Sequence, residues 1–140
     1  MHHVAILAKH RELLPKIISG EKTIESRWYT SRYPPWNKVS VGDKVFFKDS
    51  GEAISASATI SKVLQFTDVD KTTCEKIFRK YGKDICLKDM EYSSYYQAKN
   101  YCILLFLENI ESIEPFHIDK SGFGNAAAWL CVDDISQIKQ

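Results

Sequence analysis

The chain has 140 residues, of which 44% are hydrophobic and 26% are charged, and its formal net charge at pH 7 is +1. This size predicts a single globular domain over residues 1–140, and the charge excludes a strongly basic nucleic-acid-binding protein, although a local basic groove stays open. No apolar run is long enough to span a membrane, and Met1-His2-His3 does not begin a signal peptide, so we expect a cytoplasmic protein.

The first half of the chain predicts one short helix among strands. A buried strand is expected at Val4–Ala8, and the helix that follows has Pro15 in its first turn. Gly20 is placed to end this helix in the left-handed conformation. The strands expected next are Thr23–Trp28, Lys44–Lys48 and the cleanly alternating Ile54–Phe66.

The second half predicts two helices and further strands. A helix capped by Thr67 or Asp68 is expected to end at Gly82, with an apolar stripe on one face. The other segments are a short helix at Leu87–Ala98, a central strand at Tyr101–Leu107 that is apolar on both faces, a further strand at Ile110–His117 that Pro115 interrupts, and a helix or strand at Ala126–Val132. Together these elements predict an α+β fold, a small and mostly antiparallel β-barrel with helices inserted between strands.

Neither the cysteines nor the histidines show the spacing of a metal site. We therefore expect neither a metal nor another cofactor, and reduced, mostly buried thiols at Cys74, Cys86, Cys102 and Cys131. His2 and His3, near the terminus, are expected to be solvated.

Three charged residues follow the predicted helix stop at Gly20. Lys22 precedes a predicted strand, and Glu25 and Arg27 lie within it. Because side chains alternate along a strand, Glu25 and Arg27 share one face and could form an ion pair, whereas Lys22 would have to bend toward them. Burying such charges without partners is costly, so the cluster needs a reason.

The same alternation places Ile24 and Trp28 on the other face of that strand, as apolar anchors. The alternative to a functional site is a solvated ion pair of Glu25 and Arg27 on an exposed strand. Periodicity by itself favours neither interpretation.

The segment Gly20-Glu21-Lys22-Thr23-Ile24-Glu25-Ser26-Arg27 resembles the G-x-K-x-x-E-x-R signature of ASCH domains, the activating-signal-cointegrator homology group. Val41-Gly42-Asp43-Lys44-Val45 is similar to the Gly-Asp turn and strand that follow in that family. The resemblance is clear over the first third of the chain. It implies a PUA-like barrel with a cleft that binds RNA or a modified nucleoside.

The resemblance also implies residue roles. It places Lys22, Glu25 and Arg27 in the cleft. Some small members hydrolyse the acetyl amide of N4-acetylcytidine with a lysine, a threonine and a later glutamate, and other members are proposed to be ribonucleases. Lys22 matches the lysine, Glu25 occupies the position of the threonine, and Glu75 is a candidate for the glutamate.

Aromatic residues crowd together after the signature, and flat rings can stack on bases while arginines contact phosphates. The alternative is that Trp28 and Trp36 are core residues that close the end of the barrel, and Trp129 could join either group. The residues expected to bind the ligand are Lys22, Glu25, Arg27, Trp28, Arg32 and Trp36.

Two functions follow from these residues. The first is a binding module for RNA or a modified nucleoside. The second is a small hydrolase that acts on such a nucleoside or on RNA, with Lys22 and Glu25 as the catalytic pair. The departure at Glu25, where the hydrolases carry a hydroxyl, favours the first, and a protein-interaction domain is a third alternative.

Overall fold

The computed structural model describes residues 1–86, 98–124 and 127–140. The predicted helix at Leu87–Ala98 falls outside these ranges except for its last residue. Within the described parts of the chain, no helix has the length and apolar character that crossing a membrane requires.

A six-stranded mixed sheet, curled into a half-barrel, forms the body of the fold. The strands are β1 (His2–Leu7), β2 (Ile24–Tyr29), β3 (Lys44–Asp49), β4 (Ile54–Phe66), β5 (Tyr101–Phe116) and β6 (Trp129–Val132). Their order in the sheet is β2-β5-β4-β3-β1-β6, so β2 and β6 are its two edges. Strands β1 and β3 are parallel and the other neighbouring pairs are antiparallel, which confirms the predicted α+β class with a mostly antiparallel sheet.

Two α-helices are present in the described residues, α1 (Leu13–Ser19) and α2 (Lys71–Ile85), with short 3-10 helices at Lys9–Arg11 and Ile135–Gln137. The prediction for α1 is confirmed, because Gly20 caps it in the left-handed region with φ 84°.

The predicted ends of α2 are wrong at both termini. Asp70, rather than Thr67 or Asp68, caps the helix, because its side chain accepts a hydrogen bond from the Thr73 amide at 2.8 Å. Gly82 lies inside the helix, and its carbonyl accepts from the Cys86 amide at 3.0 Å. The helix therefore continues to Ile85 and ends where Cys86 turns left-handed, with φ 62°.

The two strands predicted between Tyr101 and His117 are one strand, β5. Pro115 does not interrupt it, because the register between β4 and β5 shifts between the pairs Ala56–Ser112 and Ile54–Phe116. A proline is tolerated at such a bulge, where the regular hydrogen-bond ladder is already broken.

Both faces of β5 are largely buried over Tyr101–Leu107, as expected for a central strand, whereas the rest of the strand is mostly exposed. The inner core lies on one face and contains Ile103 and Leu105, together with three residues of α1. On the opposite face, Cys102 and Leu104 pack with residues of α2. The inner core takes Leu13, Leu14 and Ile17 of α1, whereas Ile18 is 41% exposed. All four cysteines are free, and Cys74 and Cys102 are buried.

Candidate functional site

Lys22 lies between α1 and β2 and is held by backbone contacts on both sides. Its amide donates to the Lys16 carbonyl at 2.9 Å, and the next amide, of Thr23, donates to the Asp84 carbonyl at 3.1 Å. These contacts turn the Lys22 side chain inward, where only 1% of the residue is exposed.

The Lys22 amine donates to two backbone carbonyls, those of Ile24 at 2.9 Å and of Ile85. It thereby joins the start of β2 to the last residue of α2. Burial lowers the pKa of Lys22, and the Glu25 carboxylate, 3.9 Å from Nζ, opposes this effect. A neutral amine has two N–H donors, so these two carbonyls can be satisfied in either protonation state.

Glu25 is the only acidic side chain among the buried polar residues of the described chain. It lies in β2 opposite Leu105, so its side chain faces the inner core. Oε1 accepts a hydrogen bond from the Ser26 amide at 3.0 Å. Oε2 lies 3.9 Å from Arg27 Nη2 and, within the described residues, has no hydrogen-bond partner.

Arg27, on the same face of β2, reaches across to the opposite end of the sheet. Nη1 donates to the Ala128 carbonyl at 3.2 Å, and Nη2 donates to the Ile6 carbonyl of β1 at 3.3 Å. The guanidinium carbon lies 5.3 Å from the centroid of the Trp129 ring in β6. Nε is buried and has no hydrogen-bond partner among the described residues.

Lys22, Glu25 and Arg27 therefore form one buried cluster of alternating charge, with 3.9 Å between neighbouring charged atoms. Glu25 and Arg27 lie side by side on one face of β2, and among the described residues the acceptor Oε2 and the donor Nε have no hydrogen-bond partner. Buried polar atoms are rarely left unpaired, because the desolvation cost is then not repaid. A ligand group that carries one donor and one acceptor would satisfy both atoms.

The two tryptophans of the predicted binding set lie in the core. Trp28 is on the opposite face of β2 from Glu25, and its ring stacks on Phe78 with 5.5 Å between centroids. Trp36 belongs to the inner core and contacts Tyr101 edge-on at 5.0 Å. Both residues are more than nine-tenths buried, so their positions fit the core alternative rather than stacking on a base.

Arg32 is exposed and lies over the Tyr101 ring at 5.6 Å, outside the buried cluster. Glu75, the candidate for the glutamate of the N4-acetylcytidine hydrolases, is half-buried on α2. The carboxylate that lies beside Lys22 is that of Glu25. Among the described residues, no group of three His, Cys, Asp or Glu side chains is arranged to hold a metal ion.

His3, expected to be solvated, is fully buried instead. Its Nδ1 accepts a hydrogen bond from Trp129 Nε1 at 3.1 Å, and its Nε2 lies 2.8 Å from Asp43 Oδ2. The sequence carried a signal for this: alternation along β1 places His3 on the same face as Ala5 and Leu7, which are core residues. Asp43, from the Gly-Asp turn, was likewise absent from the predicted site, and Trp129 was assigned neither to the binding group nor to the core.

No protein-family model and no curated protein matches this sequence. The structure is similar to crystal structures of an ASCH protein from Zymomonas mobilis. The TM-score is 0.72 for the unsubstituted protein, at 17% identity over 97% of this chain and 91% of that chain. Two single-substitution variants of that protein give 0.74 at 17% identity and 0.73 at 16% identity, each over 97% of this chain.

The resemblance to ASCH domains that the signature segment indicates is thus confirmed for the fold. The likenesses cover nearly the whole of both chains, so they include α1, the sheet and α2 as well as the first third. The chain therefore has the α+β fold of these ASCH structures.

Proposed function

We propose that this domain binds RNA or a modified nucleoside, and that Lys22, Glu25 and Arg27 form the part of the site that recognises the base. The observation that carries the proposal is that two neighbouring buried atoms, the acceptor Glu25 Oε2 and the donor Arg27 Nε, have no hydrogen-bond partner in the part of the chain that the structure describes. The ASCH fold supports the same class of ligand.

The edge of a cytosine or adenine base matches this pair. Each base has an exocyclic amine, which donates, next to a ring nitrogen, which accepts. A glutamate oxygen is a suitable acceptor for the exocyclic amine of cytosine, and an arginine N–H can donate to a ring nitrogen. A cytosine acetylated on that amine keeps one N–H donor there. The amine of Lys22 lies 3.9 Å from Oε1 of the same carboxylate and so borders this part of the site.

The test replaces Glu25 by its neutral isostere. Binding of cytidine, adenosine, N4-acetylcytidine and a mixed-sequence single-stranded RNA is measured by calorimetry for wild type, E25Q and a control. The control is E111Q, an exposed glutamate of β5. A hydrogen bond to a charged group contributes about 1.5–3 kcal/mol, so E25Q should weaken binding roughly tenfold or more, while E111Q leaves it unchanged. Absence of binding by wild type to every probe, or equal binding by E25Q, contradicts the proposal.

The second candidate is hydrolysis of a modified nucleoside or of RNA, and the lowered pKa of Lys22 favours it. A neutral Lys22 would donate its two hydrogens to the Ile24 and Ile85 carbonyls and keep a lone pair. That lone pair could take a proton from an attacking water beside Glu25.

Turnover separates the two candidates. N4-acetylcytidine and the RNA probe are incubated with wild type and K22M, and cytidine, acetate and RNA fragments are measured by chromatography. Product that K22M does not form supports hydrolysis with Lys22 as base. Binding by wild type without product supports the binding module alone.

A further inference from the structure

A continuous row of contacts runs from the Gly-Asp turn to the proposed site. Asp43 contacts His3 at 2.8 Å, His3 contacts the Trp129 indole nitrogen at 3.1 Å, and the Trp129 ring lies 5.3 Å from the Arg27 guanidinium. His3 and Trp129 are each at least nine-tenths buried. The row therefore joins the Gly-Asp turn, through β1 and the first residue of β6, to the residue whose Nε we assign to the ligand.

The chemistry of the indole determines which tautomer His3 adopts. An indole N–H can only donate, so Nδ1 of His3 must be the acceptor. The single proton of the neutral ring is then on Nε2, which donates to Asp43 Oδ2. Asp43 Oδ2 also accepts from the Ser40 amide at 3.0 Å, which fixes the carboxylate to the turn.

We propose that Trp129 is a positioning residue for Arg27, and that His3, oriented by Asp43, holds the Trp129 ring in place. For ligand binding, the proposal rests on the proposed function of the Glu25–Arg27 pair. Its structural part, the dependence of Arg27 on His3 and Trp129, can be measured without a ligand.

Arg27 needs such support because its other contacts are weak or distant. Its two hydrogen bonds to carbonyls are 3.2 and 3.3 Å long, and the Glu25 oxygen is 3.9 Å away. The flat Trp129 ring constrains the plane of the guanidinium as well as its position. That plane determines where the Nε–H points.

Protonation of His3 would remove the acceptor of the indole, because Nδ1 would then carry a hydrogen that faces the Trp129 N–H. The titratable groups around His3 are the Asp43 carboxylate, the N-terminal amine of Met1, His2 on the same strand, and Cys131, which lies opposite His3 in β6. Burial lowers the pKa of His3 below 6.5, and the Asp43 carboxylate opposes this effect. The row is thus intact near neutral pH.

The test follows the Arg27 Nε–H and Trp129 Nε1–H signals by proton–nitrogen NMR, with R27K and W129F as assignment variants. In wild type, both signals should shift together as the pH is lowered, with one midpoint below 6.5. In H3Q the glutamine amide can accept from the indole and donate to Asp43 but does not titrate, so both signals should stay constant.

A second set of variants, at Trp129, tests the proposal even if the H3Q protein fails to fold. In W129L the Arg27 signal should move because the ring is lost, and affinity for the single-stranded RNA should fall about fivefold. W129F, which keeps a ring, should retain more of the affinity than W129L. An unchanged Arg27 signal in W129L, or an identical pH response in H3Q and wild type, overturns the proposal.

The two proposals fail separately. If the NMR signals are coupled as expected but no probe binds, the positioning role stands and the proposed function fails. If wild type and W129L bind the RNA equally, the proposed function stands and the positioning role fails.

Discussion

The Arg27 guanidinium and the Trp129 ring, 5.3 Å apart, connect the two edge strands of the sheet. Arg27 projects from β2, and Trp129 begins β6, so the contact forms where the curled sheet brings its ends together. The Arg27 guanidinium also donates hydrogen bonds to the carbonyls of Ile6 and Ala128, which lie on the β6 side of the sheet. The candidate site therefore lies where the two edges of the half-barrel, β2 and β6, approach each other, and residues that join these edges also shape the site.

Replacing Lys22 by methionine should destabilise the protein. The Ile24 and Ile85 carbonyls would lose their buried donor, at a cost of about 1–3 kcal/mol in the free energy of unfolding. Urea denaturation at pH 7 measures the loss. The matched control is K83M, because Lys83 is an exposed lysine near the same end of α2. Equal stability of wild type and K22M would contradict the structural role of the amine.

The difference in unfolding free energy between wild type and K22M should also depend on pH. The pKa of Lys22 is lowered by burial, so the unfolded chain binds a proton there more readily than the folded one. The Lys22 contribution to stability therefore rises with pH from the lowered pKa up to 10.5, the ordinary value. The difference in unfolding free energy between wild type and K22M should widen over this range. A constant difference would show that Lys22 titrates alike in both states.

Acidification should destabilise the fold through His3. Because burial lowers its folded pKa, the stability from neutral His3 is fully present above pH 6.5 and is lost as pH falls through the folded pKa. Thermal melts of wild type should show this loss, and melts of H3Q should not. H10Q, at an exposed histidine, should behave as wild type.

Truncation of Trp28 should act on stability rather than directly on ligand contact. Its ring fills the core beside Phe78, so W28A should cost about 3–5 kcal/mol in the free energy of unfolding. Tyr33 is 60% exposed, and Y33A should change stability by less than about 0.5 kcal/mol. Chemical denaturation of both variants checks the contrast, and a mild effect of W28A would mean that the ring is not a core residue.

Arg32 offers a test of phosphate contact. If RNA binds near Tyr101, R32A should weaken RNA binding and reduce the slope of log affinity against log salt by about 1, without changing stability. K139A is the matched control, because Lys139 also covers an aromatic ring, Phe116, but at the other end of β5. The same salt slope for R32A, K139A and wild type would remove Arg32 from the interface.

Much of the fold could be predicted because it depends on short-range patterns. The alternation of Ile54–Phe66 and the left-handed cap at Gly20 are local features, and both are found in the structure. The ends of α2 were predicted wrongly for reasons that are also local. Asp70 caps the helix in place of Thr67 or Asp68, and the helix continues through Gly82. Pro115 was misjudged because a bulge in β5 depends on the register of a different strand.

The sequence by itself determined that Glu25 and Arg27 share one face of β2, shortly after a glycine cap, since side-chain alternation and the position of the cap are properties of a few consecutive residues. It did not determine that the side chain of Lys22 turns toward them. Only the tertiary structure decided what those charges meet. The Ile85 carbonyl, the Ala128 carbonyl and Trp129 come from distant parts of the chain. Packing of α2 against β2 brings the first to Lys22, and curling of the sheet brings the other two to Arg27. Burial of His3, and of the Glu25 and Arg27 atoms that lack a partner among the described residues, also depends on tertiary structure, because desolvation depends on the whole surrounding core.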